Sequence, residues 1–286
     1  MQLNLKHTCA AIILALIPMV SMSQRVIFTS ADSARIERIL SDITSNDYGD
    51  AGKQIIKIAN EFVGEKYVGG TLDSNEGEPL FVSCTKLDCS TFVELVLAIH
   101  ITATEGKRCF GDVCDNLEKI RYRNGKNCGY ASRLHYSSWW IDDGINKGIL
   151  QEVTPSGNNK KQRLELNYMS THPDSYRMLA GNTAMIKEIA AYEKPYRGTE
   201  VDFIPKSILK SEGADYIQEG DIIAITTSKA GLDIAHVGFA YYHNNKLHLL
   251  HASSAKKKVI RDGQPLNEYL MARKSHTGIR VIRCTK

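Results

Sequence analysis

The sequence predicts an α+β protein, with helices in the first part of the chain and antiparallel strands in the last part. Two apolar series with helical spacing lie between residues 30 and 63, and a third apolar stretch runs from Leu87 to Ile99. Beyond residue 215 the pattern changes to short apolar strands, two of which are separated by the turn-forming pair Asn244-Asn245. Helices followed by a set of antiparallel strands are typical of the α+β class.

The two N-terminal helices are predicted from apolar residues that recur every three or four positions. Ser30 is placed to cap the first helix, and Gly64 is placed to end the second. We expect residues 30–63 to form a helical extension in front of the main domain. The apolar faces consist of Ile36, Ile39, Leu40 and Ile43 in the first helix and of Ile55, Ile58, Ala59, Phe62 and Val63 in the second.

A further helix is predicted to begin at the segment Leu87-Asp88-Cys89. Asp88 is a favourable N-cap residue, which places Cys89 in the first turn of the helix. A thiol in that position faces unpaired N–H groups and the positive end of the helix dipole, and both favour the thiolate. Cys89 is therefore a candidate nucleophile, and the alternatives are a buried structural thiol or a disulfide with Cys84.

Two histidines are expected to meet on one face of the predicted hairpin. If Asn244-Asn245 occupy the two central turn positions, Gly238 lies opposite His251, and His236 is a diagonal neighbour of His251. Gly238 leaves the space in which one imidazole can lean toward the other. A thiolate nucleophile requires an imidazole as its base, and the base requires a partner that orients it. Cys89, His236 and His251 can supply these three functions.

Three segments of the sequence together resemble the NlpC/p60 family of cell-wall cysteine peptidases and amidases. They are LDCSTFVE, DIAHVGFAYY and LHLLHASS, and they follow a GEKYVGG segment similar to the family's G-x-x-Y-x-x-G-G. The resemblance covers about residues 55–100 and 218–255. It implies a papain-like fold, in which a nucleophile helix packs on an antiparallel sheet, and a reaction that requires no cofactor.

The same resemblance implies a function for each residue of the site. Cys89 would attack the substrate, His236 would act as the base, and His251 would orient His236. Tyr67, in the GEKYVGG segment, would lie beside the nucleophile and help to stabilise the oxyanion. For Tyr67 the alternative is aromatic packing beneath the loop.

The segment from about residue 105 to 215 is mixed in character, and we interpret it as an insertion that lines a substrate cleft. Its SRLHYSSWWIDD and VDFIPKSIL stretches resemble the N-acetylmuramoyl-L-alanine amidase-like branch of the same family. That branch implies hydrolysis of the amide between the muramoyl lactyl group and L-alanine in peptidoglycan or muropeptides. The expected substrate-binding residues are Arg133, His135 and Lys206 for carboxylates and Tyr136, Trp139 and Trp140 for a sugar face.

Two alternatives to this function remain open. One is an endopeptidase of the same family that cuts between D-glutamate and the diamino acid, because its catalytic residues would be the same. The other is a zinc-binding or non-catalytic peptidoglycan-binding module. In that module Cys84, Cys89, His236 and His251 could form a Cys₂His₂ shell around the metal.

The N-terminus has the pattern of a secretory signal. Lys6 precedes an apolar run from Cys9 to Val20, and small residues follow at Ser21-Met22-Ser23. We predict cleavage after residue 23, so that residues 24–286 form one papain-like amidase domain. This pattern predicts export to the periplasm or to the extracellular space, without a stable membrane anchor after cleavage.

The charge of the chain bears on nucleic-acid binding, and its cysteines bear on disulfide formation. The formal net charge of +4 comes from 36 basic and 32 acidic residues, and the basic residues are not clustered with aromatics as nucleic-acid binding requires. The one basic run, Lys256-Lys257-Lys258, is interpreted as a solvated hairpin edge. Export permits disulfides, and Cys109 and Cys114, which bracket a short loop, are the expected pair.

Overall fold

A computed structural model of the chain describes residues 25–46, 48–73, 77–156 and 160–286. The predicted signal sequence, residues 1–23, lies outside these ranges. The described residues form a mixed α+β structure with a large mixed sheet, which confirms the predicted class. None of the helices within the described ranges has the length and apolar character needed to cross a bilayer.

Eight α-helices and twelve β-strands are present in the described part of the chain. The helices are α1 (Ser30–Ser45), α2 (Ala51–Asn60), α3 (Cys89–Thr104), α4 (Phe110–Arg121), α5 (Ser137–Asn146), α6 (Tyr168–Thr171), α7 (Thr183–Glu193) and α8 (Leu266–Met271). The strands are β1 (Val26–Ile27), β2 (Lys66–Tyr67), β3 (Leu80–Phe81), β4 (Lys86–Leu87), β5 (Leu150–Glu152), β6 (Lys160–Arg163), β7 (Glu200–Pro205), β8 (Ile222–Thr227), β9 (Ile234–His243), β10 (Lys246–Ser253), β11 (Lys258–Pro265) and β12 (His276–Cys284).

The main sheet has the strand order β4-β2-β11-β10-β9-β8-β12-β7-β6, and β5 also pairs with β12. Strands β1 and β3 form a separate parallel pair. Alternate residues of β8 enter two different cores, because successive side chains of a strand point to opposite faces. Ile222 and Ala224 belong to the core that contains α3, whereas Ile223 and Ile225 belong to the core that contains α8.

The predicted N-terminal helices are present as α1 and α2, and their ends differ from the prediction by a few residues. Thr29, rather than Ser30, caps α1, because its hydroxyl accepts the N–H of Asp32 and the Asp32 carboxylate accepts the N–H of Thr29. Helix α2 ends at Asn60, and the chain turns before Gly64, which has a positive φ of 97°.

Helix α3 lies at the centre of the molecule and carries the candidate nucleophile at its first position. The helix is buried from Thr91 to Thr102, where it packs against α2, α4 and β9. Asp88 caps it as predicted, since its carboxylate accepts the N–H of Thr91 while the Thr91 hydroxyl accepts the N–H of Asp88. This reciprocal cap fixes the start of the helix, and therefore the position of Cys89.

The β9–β10 hairpin has the predicted turn and register. Asn244 and Asn245 have positive φ values of 50° and 58°, as the central residues of a tight hairpin turn require. His243 pairs with Lys246 and Phe239 with Leu250, so that Gly238 lies against His251. A Cβ atom at position 238 would lie 2.7 Å from the Cβ of His251. Glycine is therefore required at this position for the two histidines to approach each other.

A β-bulge in β9 immediately precedes His236. Ile225 of β8 pairs with His236, but the next residue, Thr226, pairs with Ile234, so Ala235 is left without a partner in the ladder. Such a bulge bends its strand and changes the direction of neighbouring side chains, and bulges are frequent next to active sites.

Several parts of the structure differ from the sequence prediction. Strand β11 and helix α8 were not expected. Cys109 and Cys114 are both free cysteines, so the predicted disulfide is wrong. Cys109 is the exposed residue that precedes α4, whereas Cys114 is buried on the core side of that helix, and the two thiols belong to different environments.

Candidate active site

Cys89 is partly buried at the N-terminus of α3, where its sulfur meets three hydrogen-bond donors. The N–H of Val237 and the hydroxyl and N–H of Ser90 lower the pKa of the thiol, but burial and the Asp88 carboxylate raise it more, to about 11. The raised pKa opposes the expectation that the helix end favours the thiolate. The thiol has to transfer its proton to a base during the reaction.

A chain of hydrogen bonds connects His236, His251 and Asp262. Nε2 of His236 lies 2.5 Å from Nδ1 of His251, and Nε2 of His251 lies 3.3 Å from Oδ2 of Asp262. Burial raises the pKa of Asp262, but the hydrogen bonds from His251 and from the N–H of Gln264 outweigh this effect and hold it below its usual value. Asp262 is therefore an ionised acceptor at neutral pH.

The charge of Asp262 determines which nitrogens of the two histidines carry protons. An ionised carboxylate only accepts hydrogen bonds, so Nε2 of His251 carries a proton and Nδ1 of the neutral ring accepts. Nε2–H of His236 then donates to His251, and Nδ1 of His236 keeps a free lone pair. This is the form of the imidazole that can take a proton from a thiol.

His236 is a neutral base in this environment. Burial lowers its pKa to about 3, and the nearby His251, His276 and Arg273 lower it in the same direction. Imidazole and thiol are therefore both uncharged before the reaction starts.

Cys89 and His236 line a common cavity of about 170 Å³. The segment 105–215 contributes a large part of its wall, through His135, Tyr136, Ser137, Met169 and Tyr176. The remaining wall comes mainly from residues 232–237, at the start of β9. The nucleophile and base predicted from the sequence are thus brought to one cavity.

Tyr67 lies near Cys89, in strand β2, and is not among the residues that line this cavity. Burial raises the pKa of its hydroxyl to about 12, and the negative charges that Cys89 and Asp88 can carry raise it further. The hydroxyl is therefore protonated and available as a hydrogen-bond donor. The ring also packs against the core that contains α3, so the two functions considered for Tyr67 are compatible.

Arg133 is not placed in the cavity. Its guanidinium is buried, donates to the carbonyl of Leu72 at 3.0 Å, and forms ion pairs with Asp73 at 3.2 Å and Glu78 at 3.5 Å. These contacts hold the loop before β3 against the 3₁₀ turn Tyr130–Ser132, which Arg133 directly follows. The structure therefore does not support the predicted binding of substrate carboxylates by Arg133.

His135 and Tyr136 do line the cavity, but they do so as neutral groups. Burial, and then the charge of Arg133, hold the pKa of His135 well below its usual value. Nε2 of His135 donates to the carbonyl of Tyr130 at 2.8 Å, which leaves Nδ1 as an acceptor. The predicted cation at His135 is thus an uncharged imidazole.

Lys206 and the three aromatic residues are engaged in contacts within the protein. Nζ of Lys206 donates to the carbonyl of Arg273 at 3.0 Å, and Lys206 does not line the cavity. Trp139 and Trp140 are buried in α5, and the hydroxyl of the buried Tyr136 donates to Glu193 at 2.7 Å. These three rings stabilise the wall of the cavity and do not offer an open face to a sugar.

The cysteines and histidines are not arranged as the zinc alternative requires. Cys84 is buried against α1, where its sulfur lies 3.7 Å from the carbonyl of Asp32. Within the described ranges, no group of three or more His, Cys, Asp or Glu side chains is placed to hold a metal ion.

Asp262 is the site residue that the sequence interpretation missed. It lies in β11, whose sequence KVIRDGQP contains the turn-forming residues Asp, Gly and Pro and does not alternate clearly. A second hairpin after β10 was indicated by the polar run that ends at Lys258. Extending the register across that hairpin would have placed an acid near His251.

Comparison with known proteins identifies the family. Residues 57–279 match the model of the AmiA-like family, described as N-acetylmuramoyl-L-alanine amidase-like. No match was found among curated proteins.

Solved structures give a consistent result. An N-acetylmuramoyl-L-alanine amidase from Bacteroides uniformis is 42% identical, with a TM-score of 0.80 over 83% of this chain and 100% of that one. A Bacteroides fragilis protein, named provisionally as a xylanase, is 44% identical with a TM-score of 0.76 over 79% and 99% of the two chains. A Legionella pneumophila protein at 22% identity and a TM-score of 0.66, over 88% and 94%, shares the fold. The chain therefore belongs to the N-acetylmuramoyl-L-alanine amidase-like family.

Proposed function

We propose that this protein is a cysteine hydrolase that cleaves the amide between N-acetylmuramic acid and L-alanine in peptidoglycan fragments. The observation that carries the proposal is the hydrogen-bonded chain Asp262–His251–His236, which ends at the cavity that also contains Cys89. Membership of the amidase-like family supports the amide bond and the peptidoglycan substrate.

The first step forms a tetrahedral adduct in which the lactyl carbon is bonded to Sγ of Cys89. Nδ1 of His236 accepts the thiol proton while Sγ of Cys89 attacks the carbonyl carbon of the lactyl group. The positive charge that develops on His236 is stabilised by His251 and, beyond it, by Asp262. Because thiol and imidazole are both neutral at rest, proton transfer accompanies the attack.

The oxyanion that forms on the lactyl carbonyl needs hydrogen-bond donors. The N–H of Cys89 is among the first N–H groups of α3, which have no acceptor within the helix. The protonated hydroxyl of Tyr67 is a second donor beside the nucleophile. Donors held in place before the reaction are the usual source of oxyanion stabilisation.

The remaining steps release two products. The protonated His236 gives its proton to the nitrogen of L-alanine, the C–N bond breaks, and the peptide leaves as a free amine. The muramoyl group stays on Cys89 as a thioester. His236 then accepts a proton from water, which attacks the thioester and releases the muramoyl carboxylic acid. The returning proton restores the Cys89 thiol.

We further propose that the protein has an NlpC/p60-type fold and that it is exported. The order and spacing of the LDCSTFVE, DIAHVGFAYY and LHLLHASS segments support an NlpC/p60-type, papain-like arrangement. The pattern of residues 1–23 supports export from the cytoplasm.

The chemistry of the cavity argues against glycoside hydrolysis. That reaction generally uses two carboxyl groups on opposite sides of the scissile bond. Among the described residues that line the cavity, Asp233 is the one acid. Its two oxygens accept the N–H groups of Ser138 at 2.6 Å and Ile234 at 2.7 Å, so it anchors the start of α5.

Digestion of a defined muropeptide, followed by mass spectrometry, tests the proposed bond. We expect a free muramic acid sugar and a peptide that begins with L-alanine. Cys89→Ala serves as the control and should give neither product. If L-Ala-D-Glu remains attached to muramic acid as the main product, the endopeptidase alternative is correct and the amidase assignment is wrong.

A further inference from the structure

Three lysines that are distant in the sequence form one row across the edge of the main sheet. Lys258 of β11 pairs with Lys66 of β2, which in turn pairs with Lys86 of β4. All three side chains are exposed, as are Lys256 and Lys257 in the turn before β11. We call these five residues, Lys66, Lys86, Lys256, Lys257 and Lys258, the lysine strip.

The lysine strip starts beside the catalytic histidines. Lys258 pairs with Ser253 of β10, which is two residues from His251 and therefore on the same face of the sheet. Neighbouring strands are about 4.8 Å apart, so the row extends roughly 14 Å from Ser253 to Lys86. Its residues lie outside the set that lines the cavity, and Lys66, Lys86 and Lys258 point to the face of the sheet that carries His251, opposite to the face of Tyr67.

The lysine strip concentrates positive charge on exposed side chains of neighbouring strands. Like charges directly opposite each other on neighbouring strands are destabilising. No ion pair to any of the five lysines is found among the described residues. Lys257 also has a positive φ of 59°, a conformation that glycine or asparagine adopts more easily. An external anion would balance this concentration of charge.

We propose that the lysine strip binds the carboxylates of the peptide that leaves when the amide is cut. This inference rests on the proposed function, because the leaving peptide carries carboxylates on its D-glutamate and diamino acid residues. An extended peptide advances about 3.3 Å per residue, so a stem of four residues spans roughly the length of the row. The cavity that Cys89 lines then receives the muramoyl group.

The other cations that were expected to bind the stem are not available for this purpose. Arg133 is buried in ion pairs with Asp73 and Glu78, and His135 is neutral. Charge complementarity therefore assigns the peptide to the exposed lysines and not to the insertion.

The test compares two muropeptides that differ only in charge, one with free carboxylates on the stem and one with the same carboxylates amidated. We expect the wild type to prefer the free acid in kcat/KM by roughly five- to tenfold, as several exposed charge pairs together can provide. The variant Lys66→Gln/Lys86→Gln/Lys258→Gln should lose this preference through KM. The control Lys160→Gln/Lys187→Gln/Lys194→Gln, which removes the same charge from exposed lysines of the insertion, should keep it.

Two further measurements separate folding, binding and catalysis. Lys257→Asn should weaken the preference without lowering the melting temperature, because asparagine tolerates the positive φ. Binding of the isolated stem peptide to Cys89→Ala enzyme, measured by calorimetry, tests the strip without turnover, and the triple variant at the strip should weaken it.

The possible outcomes distinguish the strip from the proposed function. A preference that persists in the triple strip variant, or that disappears equally in the control variant, would overturn the lysine strip as the peptide site. A wild-type enzyme that releases L-alanine peptides from neither substrate would overturn the proposed amidase function, whether or not peptide binding depends on the strip.

Discussion

At the scale of single residues, the proton positions in the site depend on Asp262. The carboxylate fixes the proton of His251 on Nε2, and this determines that His236 presents Nδ1 as a base. In other catalytic triads, an acid holds an imidazole in one tautomer and stabilises its charged form, and Asp262 has the corresponding position here. Here the acid acts through a second imidazole, so we describe Asp262 as a positioning residue.

Asp262→Asn should reduce kcat strongly while leaving the fold intact. Asparagine has nearly the same shape, but its amide can donate to Nε2 of His251 and so reverse the proton positions along the chain. The loss should be of the order of a hundredfold or more, as for the acid in other triads. The pH dependence of kcat should also change, which a purely structural function would not produce, and Asp262→Glu should restore part of the activity. Turnover near that of the wild type in Asp262→Asn would remove Asp262 from the mechanism.

Substitutions of Cys89, His236 and His251 should differ in severity. Cys89→Ala and His236→Ala should be essentially inactive, because they remove the nucleophile and the base. His251→Asn or His251→Gln should retain measurable activity, since the orienting member of a triad is the more replaceable one. Steady-state kinetics on a muropeptide gives the comparison, and a greater loss at His251 than at His236 would reverse their assigned functions.

At the scale of elements, the hairpin and the nucleophile helix could be predicted because their signals are local. Two asparagines in the turn determine the register, and Asp88 with Thr91 determines the start of α3. The environment of Arg133 could not be predicted, because its partner Asp73 is sixty residues away in the sequence. The charge state of Cys89 could not be predicted from the local sequence either. The dipole of α3 favours a thiolate, but burial of the side chain in the folded protein outweighs this effect.

Gly238→Ala should destabilise the protein and disrupt the histidine pair. The added Cβ would lie 2.7 Å from the Cβ of His251 and 3.0 Å from the carbonyl of Leu250, so β9 and β10 would have to separate. Overpacking of this kind typically costs about 1–3 kcal/mol of unfolding free energy. Urea unfolding measures the loss, and kcat should fall with it because His236 and His251 move apart.

Gly111→Ala is the matched control for this substitution, since no atom lies within 4 Å of its added Cβ. It should leave stability unchanged or slightly raised, because alanine favours the helix α4 in which it lies. If Gly238→Ala is as stable and active as Gly111→Ala, the close approach of β9 and β10 at this position is not required.

At the scale of the whole molecule, one buried carboxylate connects the insertion to the cavity wall. Glu193 of α7 is fully buried and accepts hydrogen bonds from the hydroxyls of Tyr136 and Ser170. The Tyr136 hydroxyl in turn accepts the N–H of Met169 at 2.9 Å, and both Tyr136 and Met169 line the cavity. This part of the cavity wall therefore depends on hydrogen bonds to Glu193 from within the same segment.

Glu193→Gln should raise KM more than it lowers kcat. The amide preserves the shape of the side chain but weakens the hydrogen bonds from Tyr136 and Ser170, so the wall of the cavity shifts while Cys89 and His236 stay in place. Hydrogen bonds to a charged group contribute about 1.5–3 kcal/mol each, so unfolding free energy should also fall measurably. Tyr136→Phe, which removes one of these bonds, should give a smaller change of the same kind. A fall in kcat without a change in KM would contradict this function.

The buried histidines predict how the stability of the molecule depends on pH. Burial lowers the pKa of His236 to about 3, and it also holds the pKa values of His100 and His135 below their usual values. In the unfolded chain these histidines titrate near 6.5. Between that pH and the lower folded pKa, the unfolded chain therefore binds protons that the folded protein does not.

Stability should consequently be fully present above about pH 6.5 and should fall as the pH decreases toward 3. The lowered pKa of Asp262 acts in the same direction, because its favourable interaction is lost when the carboxylate is protonated. Each histidine that stays neutral contributes a slope of up to about 1.4 kcal/mol per pH unit. Urea unfolding at pH 7.5, 6 and 5 measures the total, and His236→Gln should reduce the slope by about one such increment. An unfolding free energy that does not change between pH 7.5 and 5 would show that these imidazoles take up protons in the folded protein, and the neutral base assigned to His236 would then be wrong.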